Sequence, residues 1–260
     1  MFQRPTRVWL VLTLAIACTA IGCRRNDGPG AGTTTGEEDL PAPVGYVDSG
    51  SSADAVSVAA VGEGDLVEID VNLPAPAFRG TPKVTDEPNV APPGKSRGPY
   101  LAPRGTVNLA LGMPVSASDP VPSSGELDFV TDGDKEATDF GYLELRPGKE
   151  WVQIDLGAPA TIFGVFIWHN HAEGRVYRDV IVQVSDDPDF LNATTVFNND
   201  YNNSSGMGVG PDMGYVEVCE GKLVDCRGAV ARYVRCYSKG NHMDNKNHYT
   251  EVEVYGRPGT

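Results

Sequence analysis

The chain has 260 residues and a formal net charge of −14 at pH 7, with 35 acidic and 21 basic side chains. This length accommodates one or two domains. The acidic excess disfavours nucleic acid and an anionic membrane surface as partners of the whole chain.

Residues 1–23 have the pattern of an export signal. Two arginines precede the apolar run "VWLVLTLAIACTAIG", which is short for a membrane span and has no stop-transfer sequence after it. The small residues before Cys23 resemble a bacterial lipoprotein box, in which that Cys is lipidated and becomes the mature N-terminus. Cys18 is a second candidate, and a plain secretory signal or an uncleaved anchor is the alternative. We therefore expect an exported chain that is lipid-anchored to the bacterial cell envelope, periplasmic or on the outer surface, or else secreted.

Residues 24–105 show no sustained period and are rich in Gly, Pro, Ala, Ser, Asp and Glu, as in "GPGAGTTTGEEDLPAPVG". Such a composition buries too little apolar surface to offset the entropy of ordering the chain. The segment is therefore predicted to be a disordered acidic linker. Within it, "DLVEIDVNL" (65–73) alternates weakly, so a strand or a partner-binding segment is the alternative there.

From residue 106 the pattern becomes that of short strands. "WVQIDL" (151–156) alternates apolar and polar residues, and "TIFGVFIW" (161–168) is almost continuously apolar. Three further β-branched or aromatic runs follow, at 179–185, 231–238 and 250–256. No helical period lasts three turns. Strands without crossover helices indicate antiparallel pairing, and hence an all-β sandwich or barrel.

Three cysteines lie in this second region. Export favours disulfides. Cys219 and Cys226 flank "EGKLVD", whose length suits a hairpin, and this predicts a bridge between them. Cys236 is then left as a buried free thiol. Three free thiols in the core are the alternative.

The stretch "VTDGDKEATDFGY" (130–142) concentrates negative charge among strand formers. Asp132, Asp134 and Thr138 offer carboxylates, a hydroxyl and backbone carbonyls within a small radius, and Gly133 permits the turn between the two Asp residues. Ca²⁺ takes about six to eight such oxygens. An EF-hand is excluded, because the twelfth position counted from Asp132 is not Glu. A solvated turn is the alternative.

A second candidate site follows the apolar strand that ends near residue 168. His169, His171 and Arg175 are expected on a loop, and Tyr201 lies in a Gly- and Asn-rich segment. Planar hydrogen-bonding groups beside an aromatic face are what sugar recognition requires. A solvated loop is the alternative, and a zinc site built from His169, His171 and a third histidine is another.

Five motifs occur in an order that resembles one family. They are "VNLALGMPVSAS", "VTDGDKEATDF", "WVQIDLG", "ARYVRCYS" and "TEVEVYG". The family is that of discoidin and the coagulation factor V/VIII type C domains, which is similar to the family 32 carbohydrate-binding modules among the galactose-binding-like folds. The resemblance covers residues 106–257, with one extra residue in the acidic loop and Phe140 where the family has Trp. It implies an eight-stranded antiparallel jelly-roll β-sandwich with binding loops at one end.

The resemblance also implies site residues. A structural calcium ion would tie the acidic loop to the last strand, with ligands from Asp132, Asp134, Thr138, the Thr250 carbonyl and Glu251. A His and an Arg near His171 and Arg175 would contact a sugar, with an aromatic residue on a neighbouring loop.

The sequence therefore predicts a non-catalytic, envelope-tethered binding module for a carbohydrate or glycoprotein. The alternative is a structural or adhesion protein of the cell envelope that binds another protein. An enzyme is not expected, because the sequence has no G-x-S-x-G, no H-E-x-x-H and no phosphate loop.

Overall fold

The computed structural model describes residues 65–78, 80, 85–92, 96–137 and 140–259. These ranges contain eleven strands, a short 3-10 helix at Leu127–Thr131 and no α-helix; none of their helical segments has the length and apolar character needed to cross a bilayer. The strands are β1 (Leu66–Ile69), β2 (Tyr100–Pro103), β3 (Val107–Asn108), β4 (Val115–Ala117), β5 (Leu143–Leu145), β6 (Glu150–Trp168), β7 (Ile181–Ser185), β8 (Thr194–Asn198), β9 (Lys222–Ser238), β10 (Asn247–Tyr249) and β11 (Glu251–Pro258).

All strand pairs are antiparallel, which confirms the predicted all-β class. The main sheet has the order β3-β11-β6-β9-β7-β8, and β4 also pairs with β6. Two further pairs, β1–β2 and β5–β10, complete the pairing. The separate strands predicted at 151–156 and 161–168 are the two halves of β6.

The two long strands, β6 and β9, fold the sheet around one core. The register of β6 against β9 shifts between Asp155 and Ala160, where Gly157 has a φ of 81°. Such a bulge lets a strand bend while its pairing continues. Both halves of β6 then contribute buried side chains to the same cluster, Val152 and Ile154 from the first half and Ile162, Val165 and Ile167 from the second. The sheet therefore closes on itself as a sandwich.

A second apolar cluster lies on the outside of this sandwich, beneath β1 and β2. Tyr100 and Val71 pack there against Phe166, Trp168 and Tyr255. A Cβ atom on Gly164 would lie 2.6 Å from Tyr100 Oη, so the Tyr100 side chain packs directly on the β6 backbone.

The predicted linker boundary at residue 105 is therefore wrong. The described residues from 65 onwards include a strand pair that covers apolar surface, and the alternative of a strand at 65–73 is correct. The signal peptide, Cys23 and residues 24–64 lie outside the described residues.

The predicted disulfide is wrong as well, because Cys219, Cys226 and Cys236 are all free thiols. The segment between the first two does not form a hairpin. Instead it enters β9 at Lys222 and runs extended to Cys226. At about 3.3 Å per residue that strand carries the thiols apart, whereas a disulfide needs Cα atoms about 4.4–6.8 Å apart. Cys236 is a buried thiol, as predicted.

Candidate functional site

The loops that follow β6, β8 and β9 meet at one end of the sandwich. The loop 169–180 runs beside the loop 239–246 through paired backbone hydrogen bonds: Arg178 N donates to Gly240 O (2.9 Å), and Lys239 N donates to Arg178 O (2.8 Å). The loop 199–221 joins them where Asn199 N donates to Val180 O at 3.1 Å. These contacts assemble residues that are up to about seventy positions apart in sequence into one surface.

The two histidines predicted to bind a ligand are buried instead. His169 is fully buried and its Nδ1 lies 2.5 Å from Glu217 Oε1, while its ring stacks on Tyr177 at 4.2 Å. His171 is also buried, and its Nε2 lies 2.8 Å from the Lys135 carbonyl oxygen. Both rings therefore tie loops together, and neither is available to a ligand at the surface.

Arg175 is also committed to internal partners. Its Nη1 donates to Asp244 Oδ2 at 2.5 Å and to Asn241 Oδ1 at 3.3 Å, and its Nη2 donates to Glu173 Oε2 at 2.7 Å. Its side chain is only 10% exposed. These contacts fasten the loop 169–180 to the loop 239–246, so Arg175 has a structural task.

Tyr201 lies on the surface, as its loop position suggested, but beside Arg178 rather than Arg175. It is 44% exposed and stands at the rim of a cavity of 140 Å³. The cavity is lined by twelve residues from four segments of the chain, and its polar side chains are those of Glu87, Arg178, Asp179, Asn199, Asn202 and Ser204. Sequence reasoning missed these six residues. The density of Asn and Ser around Tyr201 in "NNDYNNSS" was the one local signal for them.

The cavity contains charges of both signs. Burial raises the pKa of Asp179, whose Oδ2 accepts a hydrogen bond from Ser204 and lies 3.7 Å from Lys239 Nζ. A hydrogen bond from Arg178 lowers the pKa of Glu87. Asp179 also holds a φ of 50°, a conformation that is uncommon outside glycine. The wall therefore offers a cation, carboxylates and neutral amides within one small volume.

The predicted cation loop contacts the last strand as the resemblance implies. Gly133 N donates to Glu251 Oε2 at 3.2 Å, and Glu251 Oε1 is buried with no hydrogen-bond partner among the described residues. Burial, with the nearby charges of Glu253 and Asp132, raises the pKa of Glu251 to about 9. Asp132 and Asp134 each accept a backbone N–H two residues later through Oδ1.

The other predicted ligands around this loop give a mixed result. Thr250 is buried, and its N–H and hydroxyl donate to the carbonyls of Trp168 and His169. Thr138 lies outside the described residues. Among the residues that are described, no three His, Cys, Asp or Glu side chains converge on a common point. A cation here would therefore need backbone carbonyls to complete its shell.

A buried ion pair stands next to the same loop. Lys135 Nζ lies 2.8 Å from Glu253 Oε1, with both side chains almost completely buried, and 5.3 Å from the ring centre of Trp168. Glu253 also accepts a hydrogen bond from Tyr255 Oη at 3.0 Å. This pair anchors the acidic loop to β11 independently of any metal ion.

Comparisons with known proteins give matches among solved structures alone. No protein-family model matches the chain, and no curated protein matches it. A CBM32 of AlyQ, solved in complex with 4,5-unsaturated mannuronic acid, is 19% identical; the match covers 55% of this chain and 95% of that one, with a TM-score of 0.42. Chitosan-binding module 1 from a chitosanase/glucanase of Paenibacillus sp. IK-5 is 21% identical, with coverages of 58% and 99% and a TM-score of 0.39.

The matches also include a larger enzyme. CpGH89 from Clostridium perfringens, in complex with GlcNAc-alpha-1,4-galactose, is 19% identical, with a TM-score of 0.44 over 58% of this chain and 15% of the enzyme. This chain therefore matches only a small part of that enzyme. Identities and TM-scores of this size do not establish what this chain binds.

Proposed function

We propose that the chain is a non-catalytic carbohydrate-binding module and that the cavity beneath Tyr201 is its site. The observation that carries the proposal is the lining of this cavity. An exposed tyrosine ring stands at the rim, and a guanidinium, two carboxylates and two amides line the wall.

Each of these groups matches a part of a sugar. The Tyr201 ring can cover the C–H face of a pyranose, and the exposed Asn202 and Ser204 can exchange hydrogen bonds with its hydroxyls. A volume of 140 Å³ accommodates about one sugar ring rather than a chain of them. A shallow single-ring site buries little area, so we expect a Kd on the order of 0.1–1 mM.

A glycan array followed by titration of the best glycan tests this proposal. Tyr201→Ala should abolish measurable binding. Phe140→Ala is the matched control, because Phe140 is an aromatic residue that is 72% exposed and does not line the cavity. If Phe140→Ala loses binding and Tyr201→Ala does not, the site lies on the other surface. If no glycan binds at millimolar concentration, the carbohydrate proposal is wrong.

We also propose that calcium stabilises the loop 130–137 against β11. A buried Glu251 oxygen with no hydrogen-bond partner among the described residues fits a cation ligand. Asp132, on the loop, lies near enough for its charge to raise the pKa of Glu251. When bound, the ion would neutralise the buried Glu251 carboxylate and the exposed Asp132 carboxylate. It lies outside the sugar cavity, whose lining residues come from other segments. We therefore expect calcium to change stability more than sugar affinity.

The location of the module is a further proposal that stands on the sequence. The apolar run and small residues before Cys23 support export and a lipid anchor on the bacterial envelope. Cys23→Ser should move the protein from the membrane fraction to the soluble fraction. If the Cys23→Ser protein remains in the membrane fraction and Cys18→Ser leaves it, the anchor is on Cys18.

A further inference from the structure

The segment 85–92 forms one wall of the proposed sugar cavity. Its backbone is held to the loop 199–221 by two hydrogen bonds: Ala91 N donates to Gly214 O, and Gly214 N donates to Asn89 O, both at 2.8 Å. Asn89 Nδ2 adds a longer bond to Asp212 O at 3.3 Å. The segment thus lies against the loop through a few backbone contacts and contributes Glu87, Pro88 and Val90 to the lining of the cavity.

The carboxylate of Glu87 accepts two hydrogen bonds from the guanidinium of Arg178. Arg178 Nη2 donates to Glu87 Oε1 at 2.6 Å, and Nε donates to Oε2 at 3.0 Å. The remaining Nη1 donates to Asn245 Oδ1 at 2.9 Å. Two parallel N–H···O bonds to one carboxylate are the arrangement by which Arg recognises carboxylate ligands. The pair is reachable from solvent, since the side chains of Arg178 and Glu87 are 35% and 19% exposed.

We propose that the site takes a sugar bearing a carboxylate, such as a uronic acid, and that Glu87 is a built-in competitor which the sugar carboxylate displaces from Arg178. This inference rests on the proposed carbohydrate-binding function. With the guanidinium occupied at every nitrogen, a neutral hydroxyl would have to break charge-assisted bonds and return a weaker one. A carboxylate replaces Glu87 on equal terms, and the sugar ring gains contact with Tyr201.

The expected effect of Glu87 on affinity is modest. Partly exposed ion pairs are weak, and a two-point pair lies at the upper end of their range. A competitor of this strength should weaken uronate binding by about three- to tenfold, since a tenfold change in Kd corresponds to about 1.4 kcal/mol. The hydrogen bond from Arg178 lowers the pKa of Glu87, so Glu87 competes as an anion at neutral pH.

An anionic ligand meets the net charge of the chain at long range and Lys239 at short range. The whole chain carries a net charge of −14, which repels an acidic sugar at long range. At about 0.15 M salt the Debye length is about 8 Å, so this repulsion is largely screened. Close to the site, Lys239 Nζ lies 3.7 Å from Asp179 and offsets the one other carboxylate of the lining.

The experiment compares Glu87→Gln with wild type in titrations against glucuronate and galacturonate, with glucose and galactose as neutral counterparts. Glu87→Gln keeps the size of the side chain and removes its charge. It should bind a uronate about three- to tenfold more tightly than wild type does, and its preference for a uronate over the neutral counterpart should rise. Glu173→Gln is the matched control, because Glu173 pairs with an arginine of the same loop, Arg175, and should leave uronate affinity unchanged.

Amide hydrogen exchange gives a second readout. The Ala91 amide should exchange faster when a uronate is added to wild type, because displacement of Glu87 releases the segment that this amide holds to Gly214. If Glu87→Gln binds uronates no better than wild type does, or binds both sugar classes more weakly, Glu87 is not a competitor and the inference is wrong. The carbohydrate proposal then stands if wild type still binds a sugar. If neither protein binds any glycan on the array or any of the four sugars at millimolar concentration, the carbohydrate proposal fails as well.

Discussion

Replacing Tyr100 by Ala tests whether the β1–β2 pair belongs to the folded domain. Tyr100 is 7% exposed, and its ring packs edge-on against Phe166 and Tyr255 with centroid separations of 5.2 and 5.5 Å. Truncating a buried aromatic residue to Ala costs about 3–5 kcal/mol. The β1–β2 pair can detach from the sandwich instead of enclosing a cavity, which limits the loss of stability. We therefore expect the lower end of this range, about 3 kcal/mol, or a fall in Tm of about 6–12 °C.

Tyr100→Phe is the matched control for this change. The Tyr100 hydroxyl is buried without a hydrogen-bond partner among the described residues, and an unsatisfied buried group costs about 1–3 kcal/mol. Phe keeps the ring and removes the hydroxyl, so this variant should be as stable as wild type or more so. Urea unfolding followed by tryptophan fluorescence measures both variants, since Trp168 stacks on Phe166 in the same cluster. If Tyr100→Ala lies within about 0.5 kcal/mol of wild type, β1–β2 is not part of the cooperative fold.

Three further results are expected. In calcium-free protein the free energy of unfolding should fall as the pH rises from about 5 to 9. The reason is that the folded-state pKa of Glu251 is raised to about 9, so only the folded state holds the proton in that window. Glu251→Gln should flatten this slope, and a flat wild-type profile contradicts the reasoning. Iodoacetamide should modify Cys219 before Cys226 and Cys236, because these two thiols are buried and burial raises their pKa values, to about 12 for Cys226. A peptide linking Cys219 to Cys226 in a non-reducing mass map would show that the bridge exists. His169→Ala should destabilise the fold by about 1–3 kcal/mol, because it leaves the buried Glu217 carboxyl group without its hydrogen-bond partner. A calorimetric loss of less than about 0.5 kcal/mol would contradict this role of the His169 ring.

The sequence predicted β6, β7, the second half of β9 and β11, because their apolar period is local. It could not predict that β6 and β9 each continue through a bulge. Gly157 and Gly228 have the sequence context of turn residues, and only the pairing with the neighbouring strand distinguishes a bulge from a turn. The pairing of β1 with β2 was hidden for a different reason. Each strand is four residues long, and the two are separated by thirty residues of linker composition.

The site was predicted less well than the fold because burial at a loop depends on distant residues. His169 and His171 follow a strand and look like exposed loop residues, yet their partners are Glu217 and the Lys135 carbonyl, far away in sequence. Tyr201 is exposed, as its position among Asn, Ser and Gly residues indicated, because its sequence neighbours offer no apolar side chains to bury its ring. No local signal distinguishes Arg178 from Arg175 as its neighbour.

These two arginines, three residues apart, pair with carboxylates in different ways: Arg175 bonds to two of them, Asp244 and Glu173, and Arg178 makes a two-point pair with one, Glu87. Arg175 is 10% exposed and bonds to Asp244 on the loop 239–246, so taking it away leaves a carboxylate without its cation at the seam between two loops. Arg178 is 35% exposed, and its carboxylate partner stands on a separate segment held by a few backbone hydrogen bonds. An exchange of partner at Arg175 would open the loop end, whereas an exchange at Arg178 moves only the segment that carries Glu87. A ligand that competes for a guanidinium at this end of the sandwich therefore finds it at Arg178.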